Sequence, residues 1–281
     1  MQAKLPITVL VQTKNEEVGI GFCLDALDEF DEVVVVDSNS TDKTKELAAK
    51  HGARVENFTW NGQYPKKKQW QLDNLKLRNE WVLFMDADET PTGYLIEELR
   101  SQFSQDLSTV SAFDINLDYV FAGKTLKYGH RVTKRCLVKV GEVEFPIVDD
   151  LDLPGMGELE GHYQPTAQQK VMRLHGRILH DDKDPISTWF TRHNKYSDWE
   201  AALRSRAEAQ ANVRSLRTIK GRVFDSMPFK PVLFFAYSYL LRLGFLDGRA
   251  GFDYAYALAT YYWQINLKIR ALKGSSTRLG R

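Results

Sequence analysis

The chain has 281 residues, of which 43% are hydrophobic and 27% charged, so disordered, collagenous and coiled-coil proteins are excluded. Its formal net charge of +1 gives no overall attraction to a polyanion, and we therefore expect no nucleic-acid partner. Cys23 and Cys136 lack disulfide-framework or zinc spacing, and the N-terminal residues do not resemble a signal peptide. These features predict a cytoplasmic protein. No apolar run approaches the roughly 20 residues of a spanning helix, which leaves surface attachment as the membrane role to consider.

Strand and helix signals alternate along the first part of the chain. The strand signals lie at 7–12, 32–36, 53–58 and 81–85. The helix signals lie at 17–30, 43–51 and 67–78. Residues 33–36 are apolar on both faces of their strand, which is typical of a parallel sheet covered by helices on both sides. The pattern predicts an α/β fold with a Rossmann-like, mostly parallel sheet.

The second half of the chain changes character. Strand-like segments at 112–117 and 135–140 precede a loop rich in glycine, proline and acids at 146–161, and helices are predicted at 185–208 and 228–272. We therefore divide the chain into a catalytic α/β domain at 1–180 and a helical C-terminal region at 181–281. The aromatic residues of the last helix favour core packing. The alternative is contact with a membrane surface, and one helix can do both on opposite faces.

Polar loops follow three of the predicted strands at the point where each strand ends. They occupy 13–16, 37–40 and 86–89. Ligands of such sheets bind beyond the carboxyl ends of the strands, so these loops are expected to share one crevice. Asp37 suits a base or ribose, and Ser38 suits a diphosphate. The alternative for the second loop is a turn that caps the next helix through Thr41 and Asp42.

The segment Asp86-Ala87-Asp88 offers hard carboxylate ligands to Mg²⁺ or Mn²⁺ carrying a diphosphate. The alternative is a helix N-terminus, because Thr90-Pro91 looks like a cap followed by a first-turn proline. A basic cluster at 66–68 is usually a solvated face. Its position between the loops makes Lys67 a candidate contact to phosphate.

The three loops together resemble family 2 inverting glycosyltransferases in order and spacing. The resemblance rests on Thr13-Lys14-Asn15-Glu16, on the Asp37-Ser38-x-Ser40-x-Asp42-x-Thr44 segment, and on Trp81-x-Leu-x-Met-Asp86-Ala87-Asp88-Glu89. It covers roughly 5–98. It implies a GT-A fold with a C-terminal helical extension, in which Asp37 and the loop with Thr13, Asn15 and Glu16 hold the nucleoside, usually uridine. Asp86, with Ala87 beside it, would contact ribose or metal, and Asp88 would ligate Mg²⁺ or Mn²⁺.

A looser resemblance points to the bacterial glucosyltransferases of lipopolysaccharide-core and exopolysaccharide synthesis. It rests on Asp-Ala-Asp-Glu, on His180 and on the Arg192-His193-x-x-Tyr196-Ser197 segment. It implies transfer of a hexose from a UDP-sugar to a saccharide or lipid-linked glycan, at or near the cytoplasmic face of the inner membrane. Where that group carries Val-His-Glu, this chain has Glu158-Leu159-Glu160-Gly161-His162.

An inverting transfer needs a general base for the acceptor hydroxyl, and a carboxylate suffices. Glu160 is the first choice, because its distance from His180 along the chain is similar to that in the group's motif. Glu158, His162 and the pair Asp149-Asp150 are the rivals. Alternatively, these acids only solvate a loop.

His180 is the candidate that completes the metal shell with Asp88. The alternative for His180 is a hydrogen-bonded core histidine. Two other functions compete with sugar transfer. A sugar nucleotidyltransferase normally has a glycine-rich loop after its first strand, which this sequence lacks. A non-catalytic nucleotide-sugar-binding protein would bind the donor without turnover.

Overall fold

The computed structural model describes residues 3–160, 163–206, 227 and 229–279, and their contacts divide the chain into two compact units. The first, here the sheet unit, comprises Met1–Val120, Arg131–Phe145 and Gln164–Lys183. The second, here the helical unit, comprises Phe121–His130, Pro146–Tyr163 and Asp184–Arg281. Two segments from within the predicted catalytic domain thus pack with the C-terminal helices.

The strands run in chain order as follows: β1 Leu5–Thr13, β2 Phe30–Asp37, β3 Arg54–Asn57, β4 Trp81–Asp86, β5 Glu89–Pro91, β6 Val110–Phe121, β7 Lys124–Thr125, β8 Thr133–Lys139, β9 Val143–Glu144, β10 Thr166–Ala167 and β11 Lys170–His180. The helices of the sheet unit are α1 Ile20–Asp25, α2 Thr44–Lys50, α3 Lys67–Asn74 and α4 Gly93–Phe103. The main sheet has the order β3-β2-β1-β4-β8-β6-β11-β5, while β9 and β10 pair separately.

The half of the sheet made of β3, β2, β1 and β4 is entirely parallel. In the other half, β8 runs antiparallel to β4 and β6, β11 runs parallel to β6, and β5 runs antiparallel to β11. Val34, Val35 and Val36 are fully buried, as expected for a strand with helices on both faces. The predicted mostly parallel α/β sheet is confirmed.

The helices of the sheet unit are shorter than their patterns predicted. Helix α1 covers only part of 17–30, because the chain turns after Asp25 through backbone bonds from Ala26 to Cys23 and from Leu27 to Leu24. Helix α3 ends at Asn74, where the next residue, Leu75, is extended. An early end to each helix lets the chain reach the following strand in a few residues.

Strand β11 was absent from the sequence prediction, and it is the element that completes the sheet. It lies between β6 and β5, two strands far from it in the sequence. Helix α4 packs on it so closely that a Cβ on Gly176 would lie 2.4 Å from the Cα of Leu95. Glycine is therefore required at this crossing.

The helical unit contains α5 Ile186–Ser205, α6 Lys230–Phe235, a π-helical segment Ala236–Leu241, a 3₁₀ turn Gly244–Asp247 and α7 Arg249–Leu279. Helix α5 ends at Ser205, and residues 207–208 of the predicted helix at 185–208 lie outside the described residues. Trp199 of α5 is buried and donates from Nε1 to Asp150 Oδ2 at 3.1 Å. Val148, Leu153 and Met156 pack around Trp199, so residues 146–160 of the predicted loop at 146–161 pack against α5.

Both cysteines are reduced and buried. Within the described part of the chain, no helix is long and apolar enough to cross a bilayer.

Candidate functional site

The three polar loops end at one edge of the sheet because their strands are adjacent and parallel. Thr13 at the end of β1 pairs in register with Asp37 at the end of β2. Gln12 pairs with Asp86 at the end of β4. The predicted convergence of the loops thus follows from strand order β2-β1-β4.

The loop after β2 is held by the carboxylate of Asp37, which is completely buried. Its Oδ1 accepts from the Ser40 backbone N–H at 2.8 Å, and its Oδ2 accepts from the hydroxyls of Thr13 and Ser40. Asp37 therefore holds this loop together, and the predicted turn through Asp42 is also present, since Asp42 Oδ1 accepts from the Thr44 N–H at 3.0 Å. A nucleoside contact by Asp37 stays a prediction.

Hydrogen bonds connect the loop after β1 to the loop after β2. The Asn15 backbone N–H donates to Ser40 Oγ at 2.8 Å, and Asn15 Oδ1 accepts from the Thr41 N–H at 2.9 Å. The Glu16 N–H donates to Thr44 Oγ1 at 2.8 Å. Asn15 has a φ of 58°, a left-handed conformation that asparagine tolerates better than most residues. Asn15 and Glu16 are thus placed by the loop after β2.

Lys67 is buried, and its Nζ donates to Ser38 Oγ at 2.7 Å and lies 3.5 Å from the Thr13 carbonyl oxygen. Lys66 is also buried. The interpretation of this cluster as a solvated face is therefore wrong for these two lysines. Lys67 lies where the first two loops meet, and its contact to phosphate stays a prediction.

The segment after β4 does not begin a helix. Residues Glu89–Pro91 form β5, which pairs with β11, and α4 begins later, at Gly93. Thr92 caps α4, because its side-chain oxygen accepts from the Leu95 N–H at 3.3 Å. The helix-cap alternative for Asp86 and Asp88 is therefore wrong, because residues 89–91 pair with β11 in the sheet and do not start a helix.

Lys134, which the sequence analysis did not identify, neutralises two acids of this segment. Its Nζ lies 2.6 Å from Asp86 Oδ2 and 2.5 Å from Glu89 Oε1, and Glu89 is completely buried. Desolvation works to raise the pKa of Asp86, but the charges of Lys134 and Lys68 outweigh it and lower this pKa far below its usual range. Desolvation likewise opposes the charge on Lys134, yet Asp86 and Glu89 raise its pKa well above the usual value.

His180 is brought to the acidic segment by strand pairing. It stands opposite Glu89 in β5 and opposite Tyr119 in β6, with the Tyr119 and His180 ring centroids 4.7 Å apart. His180 Nδ1 lies 3.3 Å from Asp88 Oδ1 and 3.6 Å from Glu89 Oε1. Burial works to lower the pKa of His180, but Asp88 and Glu89 outweigh it and raise this pKa to about 10.

The atoms Asp88 Oδ1 and His180 Nδ1 fit a metal ion. Both are buried, and neither has a hydrogen-bond partner among the described residues. Their separation of 3.3 Å suits neighbouring ligands of one ion at bond lengths of about 2.1 Å. No cluster of three or more such ligands occurs in the described part of the chain. A two-ligand site of this kind matches an ion that takes its other ligands from phosphate and water.

Ala87 is buried, with its carbonyl oxygen 3.6 Å from where a Cβ on Gly19 would lie. Its side chain therefore packs in the core between the two aspartates. A contact from Ala87 to a donor stays a prediction.

The proposed bases lie in the helical unit. Glu158 and Glu160 are half-buried in the loop that packs on α5. Among their rivals, Asp150 is buried and accepts the indole N–H of Trp199, which makes it a structural group. His162 lies outside the described residues. The assignment of the base to Glu160 stays a prediction.

The sheet order, the acidic loop after β4 and the C-terminal helices define the fold as GT-A. Residues 8–142 match the model of Glycosyl transferase family 2, so this segment is a family 2 glycosyltransferase domain, as its motifs predicted.

Three similar proteins illustrate this relationship. An uncharacterized glycosyltransferase of Rickettsia bellii is 35% identical over 113 residues, which are 40% of this chain and 37% of that protein. The lipopolysaccharide core biosynthesis glycosyltransferase LpsC of Rhizobium meliloti is 34% identical over 94 residues, or 32% of this chain and 34% of LpsC. The match thus spans little more than a third of each relative. The mannosyltransferase PcManGT of Pyrobaculum calidifontis, solved with GDP-Man and Mn²⁺, has a TM-score of 0.50 at 16% identity over 95% of this chain and 88% of that one.

Proposed function

We propose that this protein is a metal-dependent glycosyltransferase that moves a hexose from a UDP-sugar to a saccharide or lipid-linked glycan, with inversion at the anomeric carbon. The observation that carries the proposal is the pair Asp88 and His180, whose facing atoms are buried, lie 3.3 Å apart and make no well-aligned hydrogen bond among the described residues. Buried polar atoms without a hydrogen bond are uncommon in folded proteins. The Mn²⁺ bound to PcManGT supports the same assignment.

The donor would lie across the loops of the sheet unit. The loop with Thr13, Asn15 and Glu16, together with Asp37, would hold the nucleoside, while Ser38 and Lys67 face the diphosphate. Asp88 and His180 would hold Mg²⁺ or Mn²⁺, which supplies positive charge to the departing diphosphate. Lys134 keeps the carboxylate of Asp86 ionised and fixed beside them.

The transfer itself needs one proton acceptor on the acceptor side. The acceptor hydroxyl oxygen forms a bond to the anomeric carbon as the bond from that carbon to the diphosphate oxygen breaks. The hydroxyl proton passes to Glu160, or to Glu158 if Glu160 is not the base. Because the hydroxyl attacks opposite the departing diphosphate, the anomeric configuration is inverted.

The acceptor class is supported by similarity rather than by geometry. LpsC, whose name assigns it to lipopolysaccharide core biosynthesis, is 34% identical to this chain over 94 residues. We assign this protein to cell-surface polysaccharide or lipopolysaccharide synthesis on the cytoplasmic side of the membrane, with the helical region at 181–281 facing the acceptor.

The metal site is tested by Asp88→Asn, which keeps the size of the side chain and removes its charge. We expect loss of Mn²⁺ binding, measured by electron paramagnetic resonance, and loss of UDP release from UDP-glucose, UDP-galactose and UDP-N-acetylhexosamines. Asp106→Asn, at an exposed turn of the same unit, is the control and should leave both unchanged. Full metal binding and full activity in Asp88→Asn would refute the assignment.

The base is tested by Glu160→Gln and Glu158→Gln, two changes in the same loop. We expect Glu160→Gln to retain UDP-sugar binding, measured by calorimetry, and to lose transfer to the acceptor. Glu158→Gln should keep both. If only Glu158→Gln loses transfer, the base is Glu158 and not Glu160.

Two other functions remain as outcomes of these assays. A sugar nucleotidyltransferase would release pyrophosphate from a nucleoside triphosphate, although the loop at 13–16 lacks the glycines usual in that class. A nucleotide-sugar-binding protein without activity would bind UDP but release no sugar from any donor.

A further inference from the structure

The helical unit exposes a run of large apolar side chains around the turn between α6 and α7. Leu241 is 76% exposed and Val232 is 66% exposed, so neither side chain belongs to a packed core. The other members around the turn are Phe229, Leu233, Leu240, Leu243, Phe245 and Leu246. With the stripe of α7 described next, these residues form what we call the apolar face. Contiguous exposure of this kind marks a binding surface rather than random surface composition.

Helix α7 extends the apolar face along its own length. Phe252, Tyr256, Trp263 and Leu267 are exposed, and their spacings of four, seven and four residues place them on one side of the helix. The other side is buried through Tyr254, Ala257 and Ile265. Helix α7 therefore packs on one side and exposes an aromatic stripe on the other, and its contact with a membrane surface stays a prediction.

The turn that carries the exposed leucines is fixed in place. Leu243 has a φ of 61°, a conformation that is costly for a branched side chain and persists only where the surroundings hold it. Gly244 and Gly251 pack so closely that a Cβ on Gly251 would lie 2.0 Å from the Gly244 carbonyl oxygen. Asp247 is buried and accepts from the Tyr128 N–H at 2.8 Å. The leucines are thus held outward by a rigid turn.

The charges around the apolar face are positive. Residues 229–273 contain six basic and two acidic residues. Lys230 and Asp247 are buried, Lys268 lies 2.6 Å from Asp198, and Asp253 lies 3.6 Å from Arg249. Arg242 is exposed between the leucines of the turn, while Arg249 and Arg270 are exposed near the two ends of the stripe on α7. This side of the unit therefore complements a surface of negative charge.

We propose that the apolar face binds the surface of an anionic phospholipid bilayer. The leucines and aromatic rings would enter the boundary between headgroups and acyl chains, and the arginines would contact the lipid phosphates. Leucine and aromatic side chains interleaved with exposed arginines match an anionic bilayer, which takes amphipathic rings at its headgroup level and attracts basic residues. The inference adds lipid class and docking residues to the proposed function and does not depend on turnover.

The test is flotation of the purified full-length protein with two kinds of vesicle. One contains phosphatidylethanolamine and phosphatidylglycerol, and the other contains phosphatidylcholine alone. We expect the protein to float with the anionic vesicles, less so at high salt. Leu240→Ser combined with Leu241→Ser should lower the partition coefficient by roughly tenfold or more. Arg242→Gln should lower it by about fivefold on anionic vesicles and leave binding to phosphatidylcholine unchanged.

Tyr94→Ser is the matched control, because Tyr94 is about as exposed as Leu240 and Leu241 but belongs to the sheet unit. This variant should bind vesicles like the original protein. Thermal unfolding and UDP release without vesicles should be the same in all variants, so a failure here differs from a failure of the donor site. Absence of binding to anionic vesicles overturns the proposal. So does equal binding by the leucine variant, or a dimer in solution that only the leucine changes dissociate.

Discussion

Replacement of Lys134 by methionine removes the ammonium that contacts both Asp86 and Glu89, at 2.6 and 2.5 Å. Glu89 is completely buried, so its carboxylate loses its nearest positive charge in a place that water does not reach. Removal of one partner from a buried ion pair costs about 3–5 kcal/mol. Two features reduce this cost, because Asp86 is 41% exposed and Glu89 still accepts a hydrogen bond from the Asp86 N–H at 3.1 Å. We therefore expect a loss of about 2–4 kcal/mol in the free energy of unfolding.

Urea unfolding at neutral pH, followed by circular dichroism, measures this loss. Adding Glu89→Gln should relieve part of it, with a coupling of at least about 1 kcal/mol in a double-mutant cycle. The control is Lys139→Met on the same strand, which breaks a surface contact with Glu142 and should cost less. The reasoning is refuted if Lys134→Met is no more destabilising than Lys139→Met and shows no coupling to Glu89.

Two further predictions concern stability. Burial first, and then the charge of Arg242, lower the pKa of His130 to about 4, so at pH 5 the folded state holds this ring neutral while the unfolded chain protonates it. Between pH 7 and pH 5, the free energy of unfolding of the original protein should therefore fall by about 2 kcal/mol more than that of His130→Gln, measured by urea unfolding. Parallel pH profiles of the two proteins would contradict this. Gly176→Ala places a Cβ against the backbone of α4 and should cost about 1–3 kcal/mol, whereas Gly93→Ala meets nothing within 4 Å. Equal melting temperatures for the two glycine variants would show that α4 and β11 can separate at little cost.

Local sequence patterns were sufficient for the donor side of the sheet. The runs that became β1, β2 and β4 are apolar on both faces, and their polar loops follow directly, so the common edge could be inferred from parallel pairing alone. Local patterns misplaced helix ends, because the turn after Asp25 and the extended Leu75 are set by where the next strand must begin. The turn through Asp42 was visible as an alternative, whereas the hydrogen bonds that Asp37 and Asn15 make between the loops were not predicted.

The sequence by itself indicated which residues are candidates to bind metal, phosphate and nucleoside, because polar loops that follow adjacent parallel strands meet at one edge of the sheet. Only the tertiary structure decided which of them meet. Lys134 reaches Asp86 because β8 lies antiparallel to β4, and His180 reaches Asp88 because β11 lies between β6 and β5. Pairing between strands so distant in the chain depends on the register of the whole sheet, which no local pattern encodes. The contact between Asp88 and His180 is therefore a product of sheet assembly.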